Sequence, residues 1–312
     1  MSANSQPDWR PQPSPATTQA RARLLASIRT FFAERNVLEV QTPLTTPHGI
    51  TDPHIDSLAL AGGGFLRTSP EYAHKRLLAS GFGDLYELGP VFRAGEHGRR
   101  HRQQFTLLEW YRLGFDWRSL AEEVLELIHV CQPSRDWTVN WLAWRDSFAG
   151  LDGYDPLVDD ERKLLALTPG LPEDCDRDMR LDYLLATEVQ AHFPPDQLTV
   201  LYHYPASQAA LARLDPDDPR LACRFEVFAG PLELANGYHE LLDAKEQRRR
   251  FEHDNRYRQQ LGKPAMPMDQ TLLAALASGL PDCAGVALGV DRLLMALLDE
   301  RDIGQVCLFE PG

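Results

Sequence analysis

The chain has 312 residues, with Lys+Arg 32 against Asp+Glu 45, a formal net charge of −13, and 43% hydrophobic residues. Such an acidic balance argues against a protein that coats nucleic acid, leaving room only for a local basic site. No apolar run approaches the roughly 20 residues of a membrane helix. Cys131, Cys175, Cys223, Cys283 and Cys307 fall at no metal-type spacing, which suits small apolar fillers in a reducing cytoplasm.

In chain order, the Pro/Ser/Gln-rich start lacks the basic-then-apolar layout of a secretory signal, and residues 1–16 read as a flexible tail. Leu24, Leu25, Ile28, Phe31 and Phe32 then recur at helical spacing, with Asn36 able to end the helix. VLEVQTP reads as a short strand stopped by Pro43. FLRTSPEYAHKRLLASG reads as a strand and then a helix, with Ser69 as N-cap, Pro70 in the first position and Gly81 past the end. FRAGEHGRRHRQQFTLLEWYR, Phe92 to Arg112, predicts two strands joined by a basic loop. In its second half Phe105, Leu107, Glu109 and Tyr111 share one face.

A helix is expected near Ser119–Cys131, followed by smaller, mostly helical pieces over 133–197, an insertion within the domain. QLTVLYHYP and RFEVFAGPLELANGYHE read as strands, DAKEQRRRFEHDNRYRQQLG as a charged helix, and AGVALGVDRLLMALLDE as a strand turning at Gly289 into an apolar helix. Connections by hairpins and long helices predict an α+β fold, an antiparallel sheet flanked by helices, in one domain over 17–312.

Four groups of residues suggest chemistry. Arg93 with Arg99, Arg100, His101 and Arg102 could grip a polyphosphate bidentately, although a solvated basic turn fits equally well. Gly289 and Arg292 stand where a helix begins, a natural phosphate end, or merely pair Asp291 with Arg292. Glu226, Glu233 and Glu240 could hold Mg²⁺ if a hairpin near Gly230–Pro231 gathers them, with Asn236–Gly237 as a tight polar turn beside them. Three surface glutamates would show the same spacing. Glu71, Glu109 and Tyr111 would be costly to bury without ammonium partners, while Glu71 could instead serve its own helix N-terminus.

Taken together, these segments resemble the catalytic core of class II aminoacyl-tRNA synthetases, lysyl-tRNA synthetases above all. LLASIRTFFAERNVLEVQTP is similar to the first motif, FRAGEHGRRHRQQFTLLEWYR to the second and GVALGVDRLLMAL to the third. SPEYAHKRLL and ELANGYHEL resemble the lysine-specific parts. Lysyl-tRNA synthetases carry an anticodon-binding domain ahead of the first motif. Here that motif begins about 17 residues from Met1, so such a domain is not expected.

The likeness is therefore to the stand-alone paralogues that activate (R)-β-lysine with ATP and attach it to a lysine of translation elongation factor P. Ser69-Pro70-Glu71, where lysyl-tRNA synthetases have Ala-Pro-Glu, and Ala287, where they have glycine, point the same way.

The resemblance implies roles. Arg93 would hold the substrate carboxylate and α-phosphate, and Arg292 the terminal phosphates. Phe105 would stack on adenine near His101, with Leu234 and Gly289 completing the ATP set. Glu226 and Glu233 would hold Mg²⁺, and Asn236 would help with the carboxylate. Ser69, Pro70, Glu71, Glu109 and Ala287 would shape the backbone-amine end, while Glu240 and Tyr111 would take the ε-ammonium. It also implies a cytoplasmic homodimer joined through the first motif, with no stable tRNA binding and no membrane attachment.

One departure stands out. The loop reads Arg93-Ala94-Gly95-Glu96 and His101-Arg102-Gln103-Gln104, where the family has Arg-Asn-Glu and His-Asn-Pro-Glu. Glu96 could substitute after a loop shift, but Arg102 cannot copy an asparagine's donor–acceptor pair. A minimal lysine–tRNA ligase or other amino-acid ligase is the nearest alternative. A non-catalytic lysine or nucleotide sensor is disfavoured, because Arg93, Arg292 and the paired glutamates are all present.

Overall fold

The computed structural model describes residues 10–172 and 174–309. Its first helix, α1 (Pro15–Glu34), begins where Ser14 Oγ accepts the Thr17 N–H at 3.1 Å. Leu24, Ile28, Phe31 and Phe32 form its buried stripe, and Asn36 leaves it with a positive φ of 55°. Pro15 and Ala16, expected in a flexible tail, belong to this helix. Residues 1–9 lie outside the described residues, but Pro13 is buried and the Gln12 N–H donates to Leu308 O at 3.2 Å.

The short strands β1 (Leu38–Glu39), β2 (Thr45–Thr46) and β3 (Phe65–Leu66) lead into α2 (Glu71–Ala79). Pro70 takes the N-cap position, one residue outside the helix, and Ser69 Oγ still accepts the Glu71 N–H at 3.0 Å. The hairpin β4 (Leu85–Phe92) and β5 (Gln104–Leu113) follows, then α3 (Trp117–Cys131).

Residues 133–197 are not only helical. Besides α4 (Glu161–Leu167) and α5 (Arg177–Leu184) they supply β6 (Thr138–Ala143), which pairs parallel with β7 (Gln197–Tyr202). The chain then forms β8 (Arg224–Ala229), β9 (Leu232–His239), α6 (Ala244–Gln260), α7 (Gln270–Gly279), β10 (Cys283–Gly289) and α8 (Val290–Leu298).

Eight strands form one sheet in the order β1-β4-β5-β10-β9-β8-β7-β6. The inner six pair antiparallel, as expected, and the two edge strands pair parallel. One face is sealed by α1, α3 and α8 around Leu108, Trp110, Phe225, Val227 and Val286. The other face is open in the middle. At one end α2, α6 and α7 pack over Leu85, Tyr111 and Cys283; at the other, Phe148, Leu164 and Leu181 pack over Leu201 and Phe228. Between these walls lies a cleft floored by the sheet. No helix among the described residues is long and apolar enough to cross a membrane.

Candidate active site

The cleft has a volume of about 1040 Å³. Strand alternation builds its floor. Phe105, Leu107, Glu109 and Tyr111 of β5 all face it, while Leu108 and Trp110 face the sealed core. Ala287 of β10 lies in register between Glu109 of β5 and Asn236 of β9, so these three side chains meet across adjacent strands.

One end of the cleft is cationic. Arg93 stands 5.1 Å from the centroid of the Phe105 ring and 3.6 Å from Glu96. Arg292, on the first turn of α8, donates to Arg100 O at 3.2 Å and approaches Glu233 Oε2 at 3.3 Å. Partial burial and the nearby Arg292 guanidinium lower the His101 imidazole below its ordinary value. Gly289 is the N-cap of α8, with an ordinary φ of −75°. Leu234 borders the cleft from the core. Arg102 borders the cleft but is only 9% exposed, donating to Phe309 O at 3.4 Å and Gln12 Oε1 at 3.5 Å.

The other end is a buried carboxylate network. Glu109 accepts from Ser69 Oγ at 2.6 Å and from the Tyr111 hydroxyl at 3.1 Å, with His74 Nδ1 3.6 Å away. Burial would raise the Glu87 carboxyl, but hydrogen bonds from His74, Arg67 and Thr42 outweigh it and bring it to about 2. Burial would lower the His74 imidazole, yet Glu109 and Glu87 outweigh it and raise it above its ordinary value. Beside this group the Lys75 ammonium sits 2.7 Å from Glu71 Oε1 and 2.7 Å from Glu240 Oε2. Burial pushes the Glu240 carboxyl up to about 8; Lys75 opposes this and Glu71 adds to it.

Gly285 makes this packing possible. A Cβ there would collide with the Tyr111 ring and stand 2.6 Å from Glu240 Oε1. Pro70 and Arg99 do not line the cleft.

The hairpin expected at Gly230–Pro231 exists, but Asn236–Gly237 is not a turn: both residues lie inside β9. Gly237 is glycine because a Cβ there would lie 2.5 Å from the Phe225 ring. By simple alternation Glu233 and Asn236 would face opposite ways. A bulge between the Val227–Ala235 and Phe228–Glu233 pairs turns Glu233 onto the face of Glu226 and Asn236. Glu226 accepts from Tyr204 and from Arg224, each at 2.6 Å, and burial raises its carboxyl with Glu233 adding to the effect. Glu240 instead belongs to the Lys75 network. The buried Asn236 Oδ1 has no hydrogen-bond partner among the described residues.

Sequence reasoning missed Lys75, His74, Gly285 and the Tyr204–Arg224 support of Glu226. The spacing of Glu71 and Lys75, four residues apart on one helix, was the available signal for the first.

A family model described as tRNA synthetases class II (D, K and N) matches residues 4–311. A Salmonella gallinarum protein named elongation factor P–(R)-β-lysine ligase is 44% identical over 319 residues, covering 96% of this chain and 97% of its own. Its namesake in Vibrio cholerae is 44% identical with 97% of both chains covered. That in Haemophilus ducreyi is 42% identical over 97% of this chain and 96% of its own. The chain therefore belongs to the class II tRNA synthetase family, among the elongation factor P–(R)-β-lysine ligases.

Proposed function

We propose that the protein activates (R)-β-lysine with ATP and transfers it to the ε-amine of a lysine on translation elongation factor P. The observation that carries this reading is a single cleft with guanidinium groups at one end and buried carboxylates at the other, in a chain 44% identical to ligases of that name. A diamino acid bound with its ammonium groups among Glu71, Glu109, Tyr111 and Glu240 presents its carboxylate toward Arg93. That carboxylate attacks the α-phosphorus of ATP; the bond to the β,γ-phosphates breaks and pyrophosphate leaves. The acceptor amine then attacks the acyl carbon of the adenylate, AMP departs, and the amine loses a proton.

In this scheme the protein positions and neutralises. Arg93 and Arg292 stabilise phosphate charge in a site prepared in advance. Phe105 offers a stacking face to adenine, with His101 and Glu96 beside it, while Arg102 contributes through the placement of the loop. Glu226 and Glu233 share a face with room for phosphate oxygens, a donor set that suits Mg²⁺. The ion would screen phosphate charge.

For the acceptor, the net charge of −13 suits a protein better than tRNA, whose binding needs many phosphate contacts. The same reading makes the molecule a cytoplasmic homodimer through α1 and β1, consistent with Leu38 and Leu44 at 47% and 39% exposure. Light scattering tests it, and a monomer alone at micromolar concentration would refute the dimer. ATP–pyrophosphate exchange with (R)-β-lysine against α-lysine tests the activity: stronger exchange with (R)-β-lysine is expected, and no exchange with either would refute it.

A further inference from the structure

Lys75 is 1% exposed, yet it is a lysine, and packing alone would be served at least as well by an apolar side chain. Its ammonium is 2.7 Å from a carboxylate oxygen on its own helix, Glu71, and 2.7 Å from one on the far side of the pocket, Glu240. The groups around this pair are Glu71 and His74 of α2, Glu109 and Tyr111 of β5, and Cys283 of β10. Glu87 and Arg67 complete the network behind His74.

The network gathers four carboxyl groups, Glu71, Glu87, Glu109 and Glu240, around Arg67, His74 and Lys75. A lysine-type substrate brings two ammonium groups to this end of the cleft, its carboxylate facing Arg93. While Oε2 of Glu240 faces Lys75, its buried Oε1 has no partner among the described residues, so the place for an incoming N–H donor is prepared.

We infer that Lys75 is a positioning residue that sets amino-acid specificity: bridging Glu71 and Glu240 at 2.7 Å each, it fixes their carboxyl groups where the ammonium groups of a diamino acid are received. Without it Glu71 and Glu240 lose their shared cation, and buried carboxylates so left take up protons instead of binding ammonium. The inference rests on the amine-end reading proposed above, so the parent enzyme is measured first. If it shows no amino-acid-dependent pyrophosphate exchange, the functional reading fails and not the role of Lys75.

Given exchange in the parent, Lys75→Met should raise the amino-acid KM at least tenfold while the ATP KM stays within twofold. A folded variant with lower thermal stability but unchanged KM values would make Lys75 a structural ion pair and overturn the inference. Should the variant not fold, the parent labelled with ¹⁵N-lysine provides the test. The Lys75 ammonium resonance should shift when (R)-β-lysine binds and not with ATP alone. A resonance indifferent to the amino acid would also overturn it.

Discussion

Arg292 and Glu233, for which the resemblance implies different ligands, hold each other in the open cleft: Nη1 lies 3.3 Å from Oε2. A partly exposed pair of this kind contributes only about 0–1 kcal/mol, so phosphate and metal can part it at little cost. Arg292→Ala should therefore leave the fold intact and slow ATP–pyrophosphate exchange by about 10²–10³-fold, as for other lost transition-state donors. An unchanged rate and ATP KM would remove Arg292 from the phosphate end.

Glu240→Gln should raise the amino-acid KM with little change for ATP, since a charge-assisted hydrogen bond contributes roughly 1.5–3 kcal/mol. Because the Glu240 carboxyl is pushed up to about 8, it gains charge as pH rises through that value. Amino-acid kcat/KM in the parent should climb between about pH 7 and 8 by this cause, and the Gln variant should lack the rise. Equal profiles for both proteins would place Glu240 outside the pocket.

Ala287 lies between Glu109 and Asn236 in the sheet register, so its methyl projects among the groups proposed to receive the substrate backbone. Moving the amine from the α to the β carbon displaces it by one bond, and one methyl discriminates by roughly 1–3 kcal/mol. Ala287→Gly should shift the ratio of activation toward α-lysine. Retention of the parent ratio would show that this methyl does not select.

Glu87 links the site to stability. Its carboxyl, 4% exposed, is depressed from 4.5 to about 2. A depressed carboxyl contributes stability that is fully present above the unfolded value and is lost as pH falls toward the folded one. The contribution is on the order of 3 kcal/mol by linkage. Urea unfolding from pH 6 to 2 should show this loss below about pH 4.5, and Glu87→Gln should be less stable at pH 6 with a flatter acid limb. Parallel curves for the two proteins would sever the link.

The parts of the site that obey a local period could be read from the chain. Phe105, Leu107, Glu109 and Tyr111 alternate, and the strand puts them on one floor. What failed depended on distant neighbours. Asn236–Gly237 has turn chemistry, but Gly237 is needed where the Phe225 ring approaches from the next strand. The bulge that brings Glu233 to Glu226 leaves no mark in composition. β6 joins the sheet through a parallel pairing with residues more than fifty positions later, a non-local contact. Lys75 looked like one more polar helix residue until Glu240 closed over it.

The central claim is that the acyl acceptor is a lysine of elongation factor P. The direct measurement is intact mass of factor P after incubation with the protein, ATP and (R)-β-lysine, with total tRNA in a parallel tube. The account predicts a factor heavier by one β-lysyl unit, with no gain when its acceptor lysine is replaced, and tRNA left uncharged. Efficient charging of tRNA with an unchanged factor mass would contradict it and make the protein a minimal lysine–tRNA ligase.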